Sequence, residues 1–242
     1  MKVVDLSMTV SDWDKNSFAP EETYFKLRPI VKWEEKGFVS NMVEMTVHAG
    51  THIDSPHHFY RDLPSIEQIP IETFIGDAIV IDLTFKGLAH ARITPDDLEQ
   101  AEKALAGAGI EIKPGAILLL RTDWPKSHSP FDPSWWDESP CLTKAAAEWV
   151  VSKAPRGVGF DFAQEEKGGS FEYEQADEIL KGSMRVHRAM LNRIQFQIEN
   201  LIWSPYDSIY TKFVSTKCLF HRLSCSPGCS LPCSQRSSRN GS

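Results

Sequence analysis

An α/β or α+β layered architecture is predicted by two features of this 242-residue chain. Short apolar runs rich in branched side chains have Gly just before them, and capped or amphipathic segments of helix length fall between or after them. The length suits one large domain or two small ones, and folding would remove roughly 70–75% of the unfolded surface from water. Hydrophobic residues make up 41% and charged residues 24%, as in ordinary globular chains and unlike disordered ones.

In chain order, the first element is a stretch rich in aromatic side chains, from Trp13 to Tyr24. It reads as a long loop, either a cover over a functional site or a pad on the nearest core. From Asn41 to His48, Val43, Met45 and Val47 alternate with Glu44, Thr46 and His48, the period-two pattern of a half-buried strand ending at His48. Ala78 to Leu83, Ala116 to Leu120 and Val158 to Phe162 are apolar enough to be strands buried on both faces. A helix is predicted to start at Thr94, with Pro95 in its first turn and Asp97 three residues after the cap, and to end near Gly107. Trp124 to Trp136 reads as a second aromatic loop with the same two readings, a cover or a pad on the nearest core. Helices follow over about Thr143 to Ser152 and Ser183 to Arg193. A last strand, Ile194 to Leu201, puts Ile194, Phe196 and Ile198 on one face and Gln195, Gln197 and Glu199 on the other.

The net charge of -7, with both signs interspersed over the first two hundred positions, offers no basic face to nucleic acid or an anionic membrane. No apolar run approaches the ~20 residues of a membrane span, and the first residues lack a signal-peptide core, so a cytoplasmic location is expected. Cys141 is the one cysteine before position 218, so the body of the fold is expected to need no disulfide.

Chemistry concentrates in the segment from His48 to Phe59, where His48, His52, His57, His58 and Asp54 fall within eleven residues. Imidazole and carboxylate are the ligands of catalytic zinc or manganese. Gly50 permits a tight turn, and His52 and Asp54, two apart, share a side of an extended chain. His48, His52 and Asp54 are therefore expected to hold a divalent cation with coordination positions left open for water and substrate. His57 would point elsewhere and either pack or support a ligand from behind.

The segment resembles the HxGTHxDxPxHF signature of the cyclase-like metal hydrolases, the family that includes bacterial kynurenine formamidase and isatin hydrolase. His48, Gly50, Thr51, His52, Asp54, Pro56, His58 and Phe59 match its eight fixed positions. Asp5-Leu6-Ser7, Arg121-Thr122-Asp123-Trp124 and Gly157-Val158-Gly159-Phe160-Asp161 are also similar to the family. The resemblance implies a single-domain cyclase-like (swivelling β/β/α) fold with a mixed sheet flanked by helices, over about residues 1–211. It implies that His187 and Glu199 supply a second metal position bridged by Asp54, so that one or two zinc or manganese ions bind per subunit, and that His58 is the catalytic acid and base. The implied reaction is hydrolysis of the C–N bond of a small aromatic formamide or cyclic amide. A lactone hydrolase or ring-closing cyclase, or a metal-binding interaction module without turnover, are the alternatives. Trp13, Phe18, Trp135 and Trp136 are candidates to stack on an aromatic substrate. A homodimer or higher homo-oligomer is expected from the same resemblance.

Residues 212–242 depart from that pattern. They contain no Asp or Glu, are rich in Ser, and carry Cys225, Cys229 and Cys233 at intervals of four. Such an atypical tail is compatible with disorder, and its abrupt change of composition is what a shifted frame or alternative exon would produce. Cys218, His221, Cys225 and Cys229 have the residue types of a structural zinc site but the spacing of no familiar finger.

Overall fold

The structure, a computed structural model, describes residues 4–10, 25–130, 132–165, 184–203 and, for the backbone alone, 216–219. The elements in chain order are β1 (Phe25–Val31), α1 (Trp33–Lys36), β2 (Ser40–Met45), β3 (His52–Asp54), β4 (Ile75–Asp82), β5 (Arg92–Ile93), α2 (Pro95–Gly107) and β6 (Ile117–Arg121). They continue with α3 (Trp124–Ser127), α4 (Ser134–Asp137), β7 (Cys141–Leu142), α5 (Lys144–Ser152), β8 (Gly157–Phe160), α6 (Arg185–Leu191), β9 (Phe196–Glu199) and β10 (Thr216–Leu219).

Six strands form one mixed sheet in the order β10-β4-β6-β8-β9-β3. The inner strands β4, β6, β8 and β9 run parallel, while β10 and β3 close the two edges antiparallel. Parallel strands need coverage on both faces, and this sheet has it. One face packs Leu118, Leu120, Val158 and Phe160 against Leu98 and Leu105 of α2, Val150 of α5 and Met190 of α6. The other packs Ala78, Ile117, Leu119, Phe196 and Ile198 against Ile66, Ile69, Phe74 and Trp203.

The expected strands β4, β6, β8 and β9 form within a few residues of their predicted ends, and α2 and α5 start where their caps place them. Thr94 and Asp97 make a reciprocal capping box at the start of α2, and the Thr143 side chain accepts a hydrogen bond from the Ala146 N–H. Each device satisfies backbone donors that a first helical turn leaves open. The helix expected over 183–193 forms as α6, shorter at both ends.

Three expectations differ from the structure. The strand read over Asn41 to His48 stops at Met45, and β2 is exposed along its whole length because it pairs with β1 in a separate two-stranded ribbon, not in the main sheet. Trp124 to Trp136 is not one open loop: it holds α3 and α4, and Trp124 and Trp135 are fully buried in the helix-side core, with the Trp124 indole N–H donating to the Trp135 carbonyl. Within the tail, Thr216–Leu219 is not without structure; it forms β10 against Ile75 to Ala78 and satisfies the otherwise open edge of β4. The stretch Trp13 to Tyr24 and residues 220–242, with three of the four tail residues weighed as a zinc site, lie outside the described residues. Among the described residues, no helix is long and apolar enough to cross a membrane.

Candidate metal centre

The site forms at the β3 edge of the main sheet, and strand register explains why. In the antiparallel pair β3·β9, His52 lies opposite Glu199, Ile53 opposite Ile198, and Asp54 opposite Gln197. Opposed residues share a face and neighbours along a strand alternate. His52, Asp54 and Glu199 therefore stand on the helix side of the sheet, while Ile53 and Ile198 point into the opposite core. Helix α6 covers that side and brings His187.

The remaining two imidazoles come from turns. His48 sits in the turn between β2 and β3, where Gly50 adopts a left-handed conformation with φ +67°; a Cβ there would run into Val10. That is the tight turn expected of Gly50, although His48 belongs to it and not to a strand end. His58 ends a one-turn helix over Pro56–His58. The Tyr60 hydroxyl donates to the Arg188 carbonyl at 2.7 Å and so ties this turn to α6. His57 faces away, its Nδ1 3.2 Å from the Leu63 carbonyl, as its predicted packing role requires.

All six ligand-type side chains singled out in the sequence thus converge. His48 Nδ1 is 3.0 Å from His52 Nε2 and 3.4 Å from Asp54 Oδ1, and His52 Nε2 is 3.6 Å from that oxygen. Ligand atoms of a tetrahedral ion with bonds of ~2.1 Å stand about 3.4 Å apart, so these three atoms have the spacing of one triangular face of such a site. The other carboxylate oxygen, Asp54 Oδ2, lies 3.8 Å from His187 Nε2 and 4.0 Å from His58 Nε2. Glu199 joins both groups, with Oε1 2.7 Å from His187 Nε2 and Oε2 3.6 Å from His52 Nε2. Asp54 Oδ2 is buried without a hydrogen-bond partner. A buried anionic oxygen with no donor is costly, and a cation would remove that cost, so the donor set and its orphaned oxygen fit a divalent metal.

The electrostatics are those of a cation-seeking pocket. Burial works against charge on His187, but Glu199 and Glu165 outweigh it and hold its pKa up at about 10. Burial likewise works to raise the pKa of Glu199, and His187 together with His52 and Gln164 drives it well below the usual carboxylate range. For His58, burial lowers the pKa; Asp54 and Glu199 oppose that, and His48 and His187 add to it. The side chains of Asp54, His187 and Glu199 are almost fully buried, whereas His48 and His58 are 22% and 33% exposed, so the site opens to solvent on their side.

Of the aromatic candidates, Trp135 has no exposed surface to offer a substrate, and Trp136 packs partly buried against the helix-side core. Trp13 and Phe18 lie outside the described residues. The aromatic ring that does adjoin the site is Phe59, whose centroid is 4.5 Å from that of His58 and 5.1 Å from that of His187. It was visible in the signature as a fixed position, but without a role.

Residues distant in sequence also brace the site. Gln164 contacts His187 Nε2 at 3.0 Å and donates to Glu199. Asn200, at φ +61°, donates through Nδ2 to the Gly50 carbonyl at 3.0 Å, and the same carbonyl stands 3.0 Å from His52 Nδ1. The Thr51 hydroxyl donates to the Asn200 carbonyl. The sequence singled out neither Asn200, although it adjoins Glu199, nor Gln164.

Comparison with known proteins gives a family and a fold. The cyclase family model, described as "Putative cyclase", matches residues 4–167, which include His48, His52, Asp54 and His58 and stop short of His187 and Glu199. A kynurenine formamidase of Bacillus anthracis is 25% identical over 169 residues, 69% of this chain and 72% of that one. A kynurenine formamidase of Bacillus cereus strain ATCC 14579 is 30% identical over 144 residues, 59% of this chain and 60% of that one. Among solved structures, isatin hydrolase A from Labrenzia aggregata bound to benzyl benzoate is similar in fold, with a TM-score of 0.66 at 23% identity, over 87% of this chain and 83% of that one.

Proposed function

We propose, on the premise that this chain belongs to the cyclase family, that it is a metal-dependent hydrolase cleaving the C–N amide bond of a small aromatic formamide or cyclic amide. The observation that carries the reading is the convergence of His48, His52, His187 and Glu199 on the two carboxylate oxygens of Asp54, one of them buried with no donor, beside a partly exposed His58. His48, His52 and Asp54 would hold the first ion, and His187 and Glu199 with the second oxygen of Asp54 would hold another. When bound, a zinc or manganese ion lowers the pKa of a coordinated water toward ~7 and polarises a carbonyl.

The chain's own residues supply the rest. With its pKa lowered by burial, His58 is neutral at physiological pH and accepts a proton from the attacking water. Oxygen adds to the carbonyl carbon, the C–N bond breaks, and the proton held at His58 passes to the departing nitrogen. One water is consumed and an amine and a carboxylic acid result, or a single ring-opened amino acid from a cyclic amide. Phe59 offers an aromatic wall beside this path, and Trp13, Phe18 and Trp136 remain candidate contacts. The amide reading draws on the similarity to enzymes named kynurenine formamidase and isatin hydrolase.

The test is direct: hydrolysis of N-formylkynurenine and of isatin by zinc- and manganese-loaded protein, with Asp54→Ala and His58→Ala as controls. Turnover of either substrate that both substitutions abolish supports the reading. Metal bound without turnover of either would replace it with that of a binding module. We further propose that the protein acts as a homodimer, supported by the apolar side chains that the β1–β2 ribbon exposes on both faces.

A further inference from the structure

We infer that Glu165 is a positioning residue of the site, holding the His187 imidazole by Nδ1 so that Nε2 is presented to the cation. The inference rests on the metal reading above and deepens it, because nothing in the signature or in the resemblance singles out Glu165.

The carboxylate of Glu165 is buried and takes three donors from the start of α6. Oε1 lies 2.7 Å from the His187 backbone N–H and 2.7 Å from His187 Nδ1, and Oε2 accepts from the Val186 N–H at 3.2 Å. One side chain therefore fixes both the backbone that carries the imidazole and the rotation of the ring itself. The opposite edge of the ring then has a single direction: Nε2 faces Glu199 Oε1 at 2.7 Å and Asp54 Oδ2 at 3.8 Å.

The chemistry of the partner matters as much as its position. To offer a lone pair to a cation, Nε2 must give up its hydrogen, and the Glu165 carboxylate, as an acceptor, then holds the remaining hydrogen on Nδ1, the form a metal requires. A glutamine at 165 would have the same shape but could accept through its oxygen or donate through its nitrogen, and so would not select between the two forms. Glu165 follows β8 by five residues, and Gln164 beside it reaches Glu199. Neighbouring residues of one loop thus brace two of the side chains that face the cation.

The experiment is a competition titration with zinc and with manganese against a chromophoric chelator, on the wild type and on Glu165→Gln and Glu165→Asp. For Glu165→Gln the expected result is metal affinity weaker by about 10- to 100-fold, with the thermal midpoint of the metal-free protein near that of the wild type. Nitrogen-15 imidazole spectra of the zinc-loaded proteins are expected to show His187 with its proton on Nδ1 in the wild type and a mixture of forms in the glutamine variant. Glu165→Asp, which keeps the charge, should recover part of the affinity; if the glutamine variant does not fold, the aspartate variant must still bind metal more weakly than the wild type. Wild-type affinity and an unchanged His187 proton position in Glu165→Gln would overturn this inference alone. Absence of metal binding by the wild type would instead overturn the reading of the site on which it rests.

Discussion

His58 and Asp54 stand 4.0 Å apart and four residues apart in the chain, yet their substitution should fail in different ways. Asp54 offers an oxygen to each group of imidazoles, so Asp54→Ala is expected to lose bound metal and activity together. His58, the most exposed of the six, is assigned a proton, so His58→Gln is expected to keep its metal by elemental analysis while kcat falls about 10²- to 10⁴-fold; loss of the metal would refute the division of roles. A second acidic residue acts on stability. Asp161 is fully buried, and burial pushes its pKa up to about 7 although Thr122 N–H, the Thr122 hydroxyl and Asp123 N–H all donate to it. Because the folded value exceeds the unfolded one, the folded state binds the proton more tightly. The resulting stability is complete below about pH 4 and is lost as pH rises toward 7. Asp161→Asn has no such titration, so thermal melts in EDTA should show its midpoint rising relative to wild type between pH 4 and 7, then running parallel; parallel curves throughout would contradict the assignment. At this scale the sequence exposed what was contiguous or matched a signature. His48, His52, Asp54 and His58 lie within eleven residues, and His187 and Glu199 came with the resemblance, whereas the contact of Gln164 with Glu199 spans 35 positions and that of Asn200 with Gly50 spans 150. Partnerships of that range are set by strand register, which no local pattern encodes.

Among the elements, α2 and α5 were legible because their caps are local chemistry: Asp97 accepts from the Thr94 N–H and hydroxyl, and Thr143 accepts from the Ala146 N–H, each three residues away. The ribbon was misread for the converse reason. Alternation of Val43, Met45 and Val47 reports which side chains share a face, not whether anything covers that face, and among the described residues β2 pairs only with β1. The parallel pair β8·β9 shows a constraint that matters to the site. A Cβ on Gly157 would collide with the ring of Phe196, its partner in register, so β9 can lie this close to β8 only because position 157 is bare. Gly157→Ala is therefore expected to cost about 1–3 kcal/mol and, because Phe196 and Glu199 belong to the same four-residue strand, to weaken metal binding as well. Thr94→Ala, at the far end of the capping box on α2, should cost about 1 kcal/mol and leave metal affinity unchanged. Urea denaturation and metal titration of the two variants separate these outcomes. Equal metal affinities would show that Phe196 absorbs the added methyl without displacing Glu199.

For the molecule as a whole, two surfaces remain to be satisfied. The β1–β2 ribbon exposes Ile30, Met42, Val43 and Met45, and a lone two-stranded sheet is at best marginally stable in water. A second copy covering it would supply the missing burial, so sedimentation should report a dimer that Val43→Lys weakens; a wild-type monomer at all concentrations would refute the proposal. The second surface is the acid-lined interior of the site. Asp54, Glu165 and Glu199 are buried together with His187 as the charge-compensating partner of the two glutamates, which leaves Asp54 Oδ2 without a donor. A cation that binds this arrangement and not the unfolded chain stabilises the fold by mass action, about 2.7 kcal/mol when its free concentration is a hundred times its dissociation constant. For a chain of this length that corresponds to a rise of roughly 5–11 °C in the thermal midpoint. Calorimetry of EDTA-treated protein before and after zinc or manganese should show that rise in the wild type. Asp54→Ala should melt at one temperature with or without metal, because the side chain that joins the two groups of imidazoles is gone. A midpoint indifferent to both metals in the wild type would mean that the buried carboxylates are held by the histidines alone, and the case for a metal centre would fall with it.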